Sequence, residues 1–248
     1  MMADYVLAER IARLLNEAAC EQQLRDALAE TTARLGFSYF ALAQHVPKVK
    51  EQGFRLHSYP ETWEHIYDAQ DLTISDPVHR ASQRTSIGFA WADLPRLIAL
   101  TTTDKRILAR ARGRGLGDGF TVPAHVPGEV NGTCTFAMAT GRTLPKRALP
   151  IAQLAGAFAF ESARRIWQQR TRTVPARITL TDRQRDCVLW MAQGKSDWAI
   201  SRILDIGTHT VSQHLHQARE RMGVDNRTSL AVWALYDGII SFNDVIKR

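Results

Sequence analysis

The sequence predicts an α+β fold in two parts: an α/β/α sandwich around a central antiparallel sheet, then an all-α domain of four helices. Three observations predict it. Helical apolar spacing opens the chain and closes its first 170 residues, with strand-like alternation between the two. Apolar periodicity stops at "QQRTRTVPAR", residues 168–177, where Thr and Arg gather around Pro175. Beyond it only the 3.6-residue repeat remains. The expected boundaries are a first domain over 1–170, a linker over 171–177 and a second domain over 178–248.

Residues 4–19 and 21–35 space their apolar side chains as helices, the second ended by Gly36. "SYFALAQHV" (38–46) and "GFRLHSY" (53–59) alternate as strands around the turn-rich "PKVKEQG" (47–53), which predicts a hairpin. Pro60 opens a helix through Asp68. Asp76-Pro77 opens another, an N-cap followed by a first-turn proline. "TTTDKRILARAR" (101–112) forms a third helix before the Gly-rich "GRGLGDG" (113–119), and "FTVPAHV" (120–126) and "TCTFAMAT" (133–140) are further strands. A long helix over 145–169 closes the domain, with Pro145 and Pro150 confined to its start. It offers Ala152, Gly156, Ala159 and Ala163 as a close-packing side. Ile151, Leu154, Phe158 and Ile166 supply bulk for the sandwich or for a second subunit.

In the second domain, Thr181 and Gln184 form a capping box, Gly194 ends that helix, Ser196 caps the next, and Asp205-Ile206-Gly207 turns into Thr208. Cys187, Val188 and Met191 face Ile200, Ile203 and Leu204, and these face Val211, Leu215, Ala218 and Met222, so three helices share one core. A fourth, over 228–241, shows Ala231, Ala234 and Leu235 on one side and Leu230, Trp233 and Ile240 on another, and that second stripe needs a partner. Two helices joined by a tight turn over a common core make a helix-turn-helix, whose second helix lies in the major groove of DNA. Its core stripe leaves His209, Thr210, Ser212, Gln213, His216, Gln217 and Arg219 free. Such polar, weakly charged side chains exchange hydrogen bonds with base edges. The plainer alternative is a solvated helix face.

A 248-residue chain that is 45% hydrophobic buries a proper core. It contains no run of eighteen apolar residues, and "MMADYVLAERIARLL" lacks a signal-peptide core, so the expectation is a cytoplasmic protein without membrane association. Cys20, Cys134 and Cys187 lack metal-ligand spacing, so neither a disulfide framework, a metal nor a cofactor is expected. Of the net charge of +7, residues 178–248 carry only +1, nine Lys/Arg against eight Asp/Glu. The module that would read DNA is therefore not the cationic part of the chain. The run "DKRILARARGR" (104–114) reads as a solvated face, with DNA contact by Lys105 to Arg114 the alternative.

"LTDRQRDCVLWMAQGKSDWAISRILDIGTHTVSQHLHQARERMGVDNRTSLAVWAL" resembles the C-terminal domain of LuxR-type transcriptional regulators, with the L-T-x-R, G-K-S, T-V, H-L, G-V and N-R-T elements in place. The resemblance implies that Lys195, Asn226 and Arg227 approach phosphates, with Arg219 a further candidate, and that Ser212 and His216 enter the groove. Gln184 stands where the family usually has Glu, and Ser212 and His216 replace residues that are often basic. A weak single reader implies a homodimer on a palindromic promoter element of double-stranded DNA. RNA polymerase is a further expected partner, with activation and repression both open.

Residues 58–92 contain Tyr59, Trp63 and Tyr67 four residues apart, then Asp76-Pro77 and Trp91. Spacing alone makes the aromatic strip core. With Gly119, however, Trp63, Tyr67, Asp76, Pro77 and Trp91 resemble the six positions that mark the family's autoinducer-binding domain, over nearly all of residues 1–170. The resemblance implies an N-acyl homoserine lactone ligand. Asp76 would accept from its amide N–H, Trp63 would donate to the lactone carbonyl and Tyr59 to the amide carbonyl, while Tyr67 and Trp91 wall the pocket. Thr133, Thr135 and Ala137 share a strand face expected to line it. The alternatives are a ligand-independent or plant-signal-responsive regulator, and a lactone-processing enzyme using Cys134 as nucleophile or His57, His65 or His79 as base.

Overall fold

The computed structural model describes residues 2–45, 53–73, 75–127, 129–171 and 179–246. Two compact units divide the chain, residues 1–125 with 130–172, and 126–129 with 173–248. Of the linker expected over 171–177, Thr171 ends a helix and the rest lies outside the described residues, as do 47–52 of the expected hairpin turn.

The first unit begins with α1 (Met2–Asn16) and α2 (Glu21–Arg34). Its sheet contains β1 (Tyr39–Gln44), β2 (Arg55–His57), β3 (Phe89–Ala90), β4 (Leu116–Ala124) and β5 (Gly132–Ala139), all antiparallel in the order β2-β1-β5-β4-β3. Between strands run α3 (Glu61–Ala69), α4 (Pro77–Ser82), α5 (Leu94–Leu97) and α6 (Thr102–Gly113), and α7 (Leu149–Thr171) closes the unit.

Successive side chains of a strand point to opposite faces. Cys134, Phe136 and Met138 of β5 are buried on the face that meets α7, where Phe136 packs on Phe37 and Phe54 on Phe160, at 5.5 and 5.4 Å between ring centroids. Gly156 lets α7 approach the sheet closely, since a Cβ there would stand 2.7 Å from Val122 Cβ. Ala152, Ala155, Ala159 and Ala163 of α7 are buried, whereas Leu154, expected to add bulk, is 49% exposed. The opposite face of the sheet carries Trp63, Ile107, Ala111 and Leu116 from α3, α6 and the start of β4, with Tyr59, Tyr67 and Trp91 packed against them.

Several boundaries differ from the sequence expectation. β4 starts at Leu116, inside the Gly-rich stretch, because Gly117 lets its backbone pass the Ala139 carbonyl, where a Cβ would stand 2.9 Å from the oxygen. The ladder is irregular between Leu116 and Gly119. β3, at two residues, is too short for alternation to reveal.

The second unit comprises α8 (Asp182–Ala192), α9 (Asp197–Leu204), α10 (Thr208–Met222), α11 (Arg227–Tyr236) and the short α12 (Phe242–Val245). Thr181 and Gln184 form the capping box of α8, Ser196 caps α9, and Asp205 makes the turn into α10 with φ 51°. Cys187, Val188, Met191, Ile200, Val211, Leu215, Ala218 and Met222 form the core, joined by Leu230, Ala234 and Ile240. Ile203 does not join it and is 44% exposed. The fourth helix stops at Tyr236 rather than Ser241, because Gly238, at φ 68°, turns the chain and folds Ile240 back onto the core. Its solvent-facing apolar side is thus Val232, Trp233 and Tyr236, not the Leu230, Trp233 and Ile240 stripe.

Candidate functional site

Between the sheet and α3, α4 and α6 lies a cavity of about 300 Å³, within the range of small-molecule sites. Tyr59, Trp63, Tyr67, Asp76, Trp91 and Thr135 all line it. Thr133 lines it as well, whereas Ala137 is buried in the packing beside it. The Trp63 and Tyr67 rings, one helical turn apart on α3, meet edge to face at 6.0 Å. Arg55 sits 5.4 Å over the Tyr67 ring and pairs with Asp68, joining β2 to α3 along one side of the cavity.

Asp76 has two local tasks. Its Oδ1 accepts from Val78 N at 2.8 Å, capping α4, and its Oδ2 accepts from the Tyr67 hydroxyl at 3.1 Å. Tyr67 therefore orients the carboxylate as well as walling the cavity. A carboxylate offers about four lone-pair sites, so room remains for a further donor. Arg80 of α4 reaches Asp104 of α6 at 2.7 Å, which ties the helix capped by Asp76 to the one that supplies Ile107, Leu108 and Ala111 to the cavity.

Burial raises the Asp76 pKa more than the Val78 N–H and the Tyr67 hydroxyl lower it. Relative to the unfolded chain, folding therefore disfavours the charged form of this group. The stability this group contributes is full below its ordinary value of 3.8 and is lost as pH rises through the raised value. We expect the melting temperature of the unliganded protein to fall across that window relative to an Asp76→Asn variant. A difference that stays flat with pH would contradict this.

A relay of hydroxyls sets the polarity of the opposite wall. Trp91 Nε1 donates to Thr121 Oγ1 at 2.9 Å, and Thr121 lies 2.9 Å from Thr135 Oγ1. Thr135 and Tyr59 both line the cavity. The Tyr59 hydroxyl donates to no described side chain, so its proton is left over. Burial pushes the Tyr59 pKa up, so that proton stays in place. The Trp63 indole N–H has no hydrogen-bond partner among the described residues. Besides the Asp76 carboxylate, the cavity thus offers the Trp63 indole and the Tyr59 hydroxyl as donors.

Gly119 explains its pairing with Trp91. A Cβ there would stand 2.6 Å from the indole Cε2, so only glycine lets the ring lie flat on β4. Burial also pushes the Cys134 thiol up, away from the thiolate a nucleophile needs. His79 is satisfied on both ring nitrogens, by Thr73 O at 2.9 Å and Gln83 Nε2 at 3.1 Å. Among the described residues no group of His, Cys, Asp and Glu is placed to hold a metal, and no helix is long and apolar enough to cross a membrane.

On α10, His209, Ser212, Gln213 and His216 are exposed, and Thr210 and Arg219 half-buried. Gln217 is not free as expected: its Oε1 accepts from Nε2 of buried Gln184 at 3.1 Å. A glutamate at 184 has no N–H to give, so this departure from the family pattern changes how α8 is tied to α10. Asn226 caps α11 through Ser229 N at 2.8 Å. Arg227 bonds Asp197 and the Lys195 carbonyl, which gathers Lys195, Asn226 and Arg227 beside the start of α9. Arg219 reaches the Asp225 carbonyl at 3.2 Å. Trp198, 67% exposed on α9, drew no notice in the sequence.

Sequence reasoning also missed His45, Val78, Ile107 and Leu108 as cavity residues. His45 was legible in principle, because Ala41, Ala43 and His45 follow the two-residue period of one strand face.

A small-molecule cavity in one unit and a helix-turn-helix in the other define a ligand-responsive regulator. Residues 21–163 match the autoinducer binding domain family, and residues 178–234 match the luxR family of bacterial regulatory proteins. The chain belongs to the LuxR family of autoinducer-binding transcriptional regulators. It is 26% identical over 223 residues to the transcriptional activator protein AhyR of Aeromonas hydrophila, covering 88% of this chain and 86% of that one. It is 31% identical over 186 residues to the quorum sensing-dependent regulator RpaR of Rhodopseudomonas palustris, covering 74% of each. Escherichia coli SdiA shares the fold at a TM-score of 0.69, with 21% identity and 95% and 98% coverage. Transcription regulation, DNA binding and quorum sensing are therefore its functional setting.

Proposed function

We propose that the protein binds an N-acyl homoserine lactone in the cavity of its first unit. As a homodimer in the cytoplasm, it then binds a palindromic promoter element through α10 and activates transcription with RNA polymerase. The observation that carries this is the presence in one cavity of two leftover donors, Trp63 Nε1 and the Tyr59 hydroxyl, and a buried acceptor, Asp76. An acyl homoserine lactone offers two carbonyls and one amide N–H, the complementary set. Burying an acyl chain of six to eight carbons adds about 5–6 kcal/mol at about 0.8 kcal/mol per methylene. Leu154 on α7 and the Val232, Trp233 and Tyr236 face on α11 are exposed apolar surfaces suited to a second subunit.

On this reading Lys195, Asn226, Arg227 and Arg219 hold the phosphates, while His209, Thr210, Ser212, Gln213 and His216 read bases. Excess lactone at about 100 times Kd should stabilise the fold by about 2.7 kcal/mol, a melting-temperature rise of roughly 5–10 °C. A lactone panel that leaves the melting temperature unchanged would rule the ligand class out. Arg227→Ala should weaken binding to all DNA sequences about tenfold and flatten the salt dependence by about one ion. Ser212→Ala with His216→Ala should instead erode discrimination between promoter and random DNA at an unchanged salt slope. If the two variants behave alike, the division between positioning and reading is wrong. Recovery of intact lactone after long incubation would exclude turnover.

A further inference from the structure

The cavity continues along the β1/β5 ladder beyond the level of Tyr59 and Thr135. Ala41 pairs with Thr135 and Ala43 with Thr133, and His45 follows on the same face of the chain. At this end the lining is polar. His45 Nε2 lies 3.1 Å from Thr133 Oγ1, and the His45 ring stacks on His79 at 3.7 Å between centroids, tilted by 21°. His79 must donate through Nδ1 to the Thr73 carbonyl and accept at Nε2 from Gln83, so its edge is used up and only its face supports His45. Burial, with His79 and His125 nearby, holds the His45 pKa down to about 3, so its ring is neutral at physiological pH.

Neutral His45 has one N–H and Thr133 one O–H, and their mutual contact uses one of the two. In either tautomer one donor hydrogen is left over, on the Thr133 hydroxyl or on His45 Nδ1, and Nδ1 has no partner among the described residues. A purely hydrocarbon tail would leave that donor unpaired. We propose that Thr133 and His45 read a hydrogen-bond-accepting oxygen on the distal part of the ligand's acyl group. Residues two apart on one strand face are about 6.6 Å apart. The oxygen therefore belongs about five or six bonds beyond the amide carbonyl that Tyr59 meets on the lactone reading.

This rests on the acyl-homoserine lactone reading of the cavity, and titration calorimetry on the full chain separates the two. The ligands are N-octanoyl homoserine lactone and its 6-oxo derivative. The wild-type protein should bind the 6-oxo ligand at least about tenfold more tightly, because an unpaired buried donor carries a penalty of that order. Either single change, Thr133→Val or His45→Phe, frees the remaining partner's donor and should keep a preference, whereas the two together should abolish it while still binding the octanoyl ligand. Thr133→Val keeps the side-chain shape, and its combination with His45→Leu decides the matter should the combination with His45→Phe fail to fold. Equal wild-type affinities, or a preference that survives the double variant, would overturn the proposal while the lactone reading stands. Binding of neither ligand would overturn both.

Discussion

An Asp76→Asn protein should fold, yet need about 100-fold more lactone for half-maximal binding or for half-maximal output in a reporter strain. Asparagine still caps a helix, and its Oδ1 can accept from Val78 N as Asp76 now does. What it cannot keep is a second acceptor oxygen. Its amide N–H₂ would face the donor hydrogen of the Tyr67 hydroxyl and the proposed ligand amide N–H. Losing a charge-assisted bond and setting donor against donor costs about 3 kcal/mol, which is the expected 100-fold. The unliganded variant should match wild type or be slightly more stable at neutral pH, since it no longer buries a group whose charged form is disfavoured. A wild-type dose response from this variant would mean that Asp76 is only a cap.

Gly119→Val should damage both stability and ligand binding. The new side chain would start 2.6 Å from Trp91 Cε2 and 2.8 Å from Cζ2. The indole must then leave β4, break its bond to Thr121 and enter the cavity. Overpacking of this kind costs about 1–3 kcal/mol, or roughly 2–12 °C in melting temperature. Loss of the Trp91–Thr121–Thr135 relay should weaken lactone binding beyond the effect on folding. Adding Trp91→Phe supplies a smaller ring and should restore part of the melting temperature but not the relay. If the double variant is as unstable as the single one, the collision with Trp91 is not the cause.

Elements with a long repeat were legible in the sequence: α1, α2, α6, α7 and the three helices of the helix-turn-helix all carry an apolar stripe over two turns or more. Their caps were legible too, because Thr181, Ser196 and Asp76 act within three residues of themselves. Features set by distant partners were not. Nothing local says that Gln184 will bond Gln217, 33 residues away, or that Ile240 will fold back beneath α11. Ile203 suits a core by spacing, but the short α9 turns it outward. In the cavity, aromatic spacing and the Asp-Pro pair pointed to the head-group wall. His45 and His79 were invisible as a pair because their stacking joins residues from β1's end and α4.

The pleat of β1 and β5 separates two kinds of mutation. Ala41, Ala43, Thr133 and Thr135 face the cavity, while their neighbours Phe40, Leu42, Cys134 and Phe136 are buried on the face toward α7. Trp63, Tyr67 and Asp76 come from α3 and the start of α4. On the proposed reading, evolution can retune which chemical dialect a population hears by changing alternate strand positions, one at a time. The grip on the shared lactone head and the packing that keeps the receptor folded would both be left alone. Lineages could thus part company in signal preference through small steps, none of which passes through an unfolded or deaf intermediate.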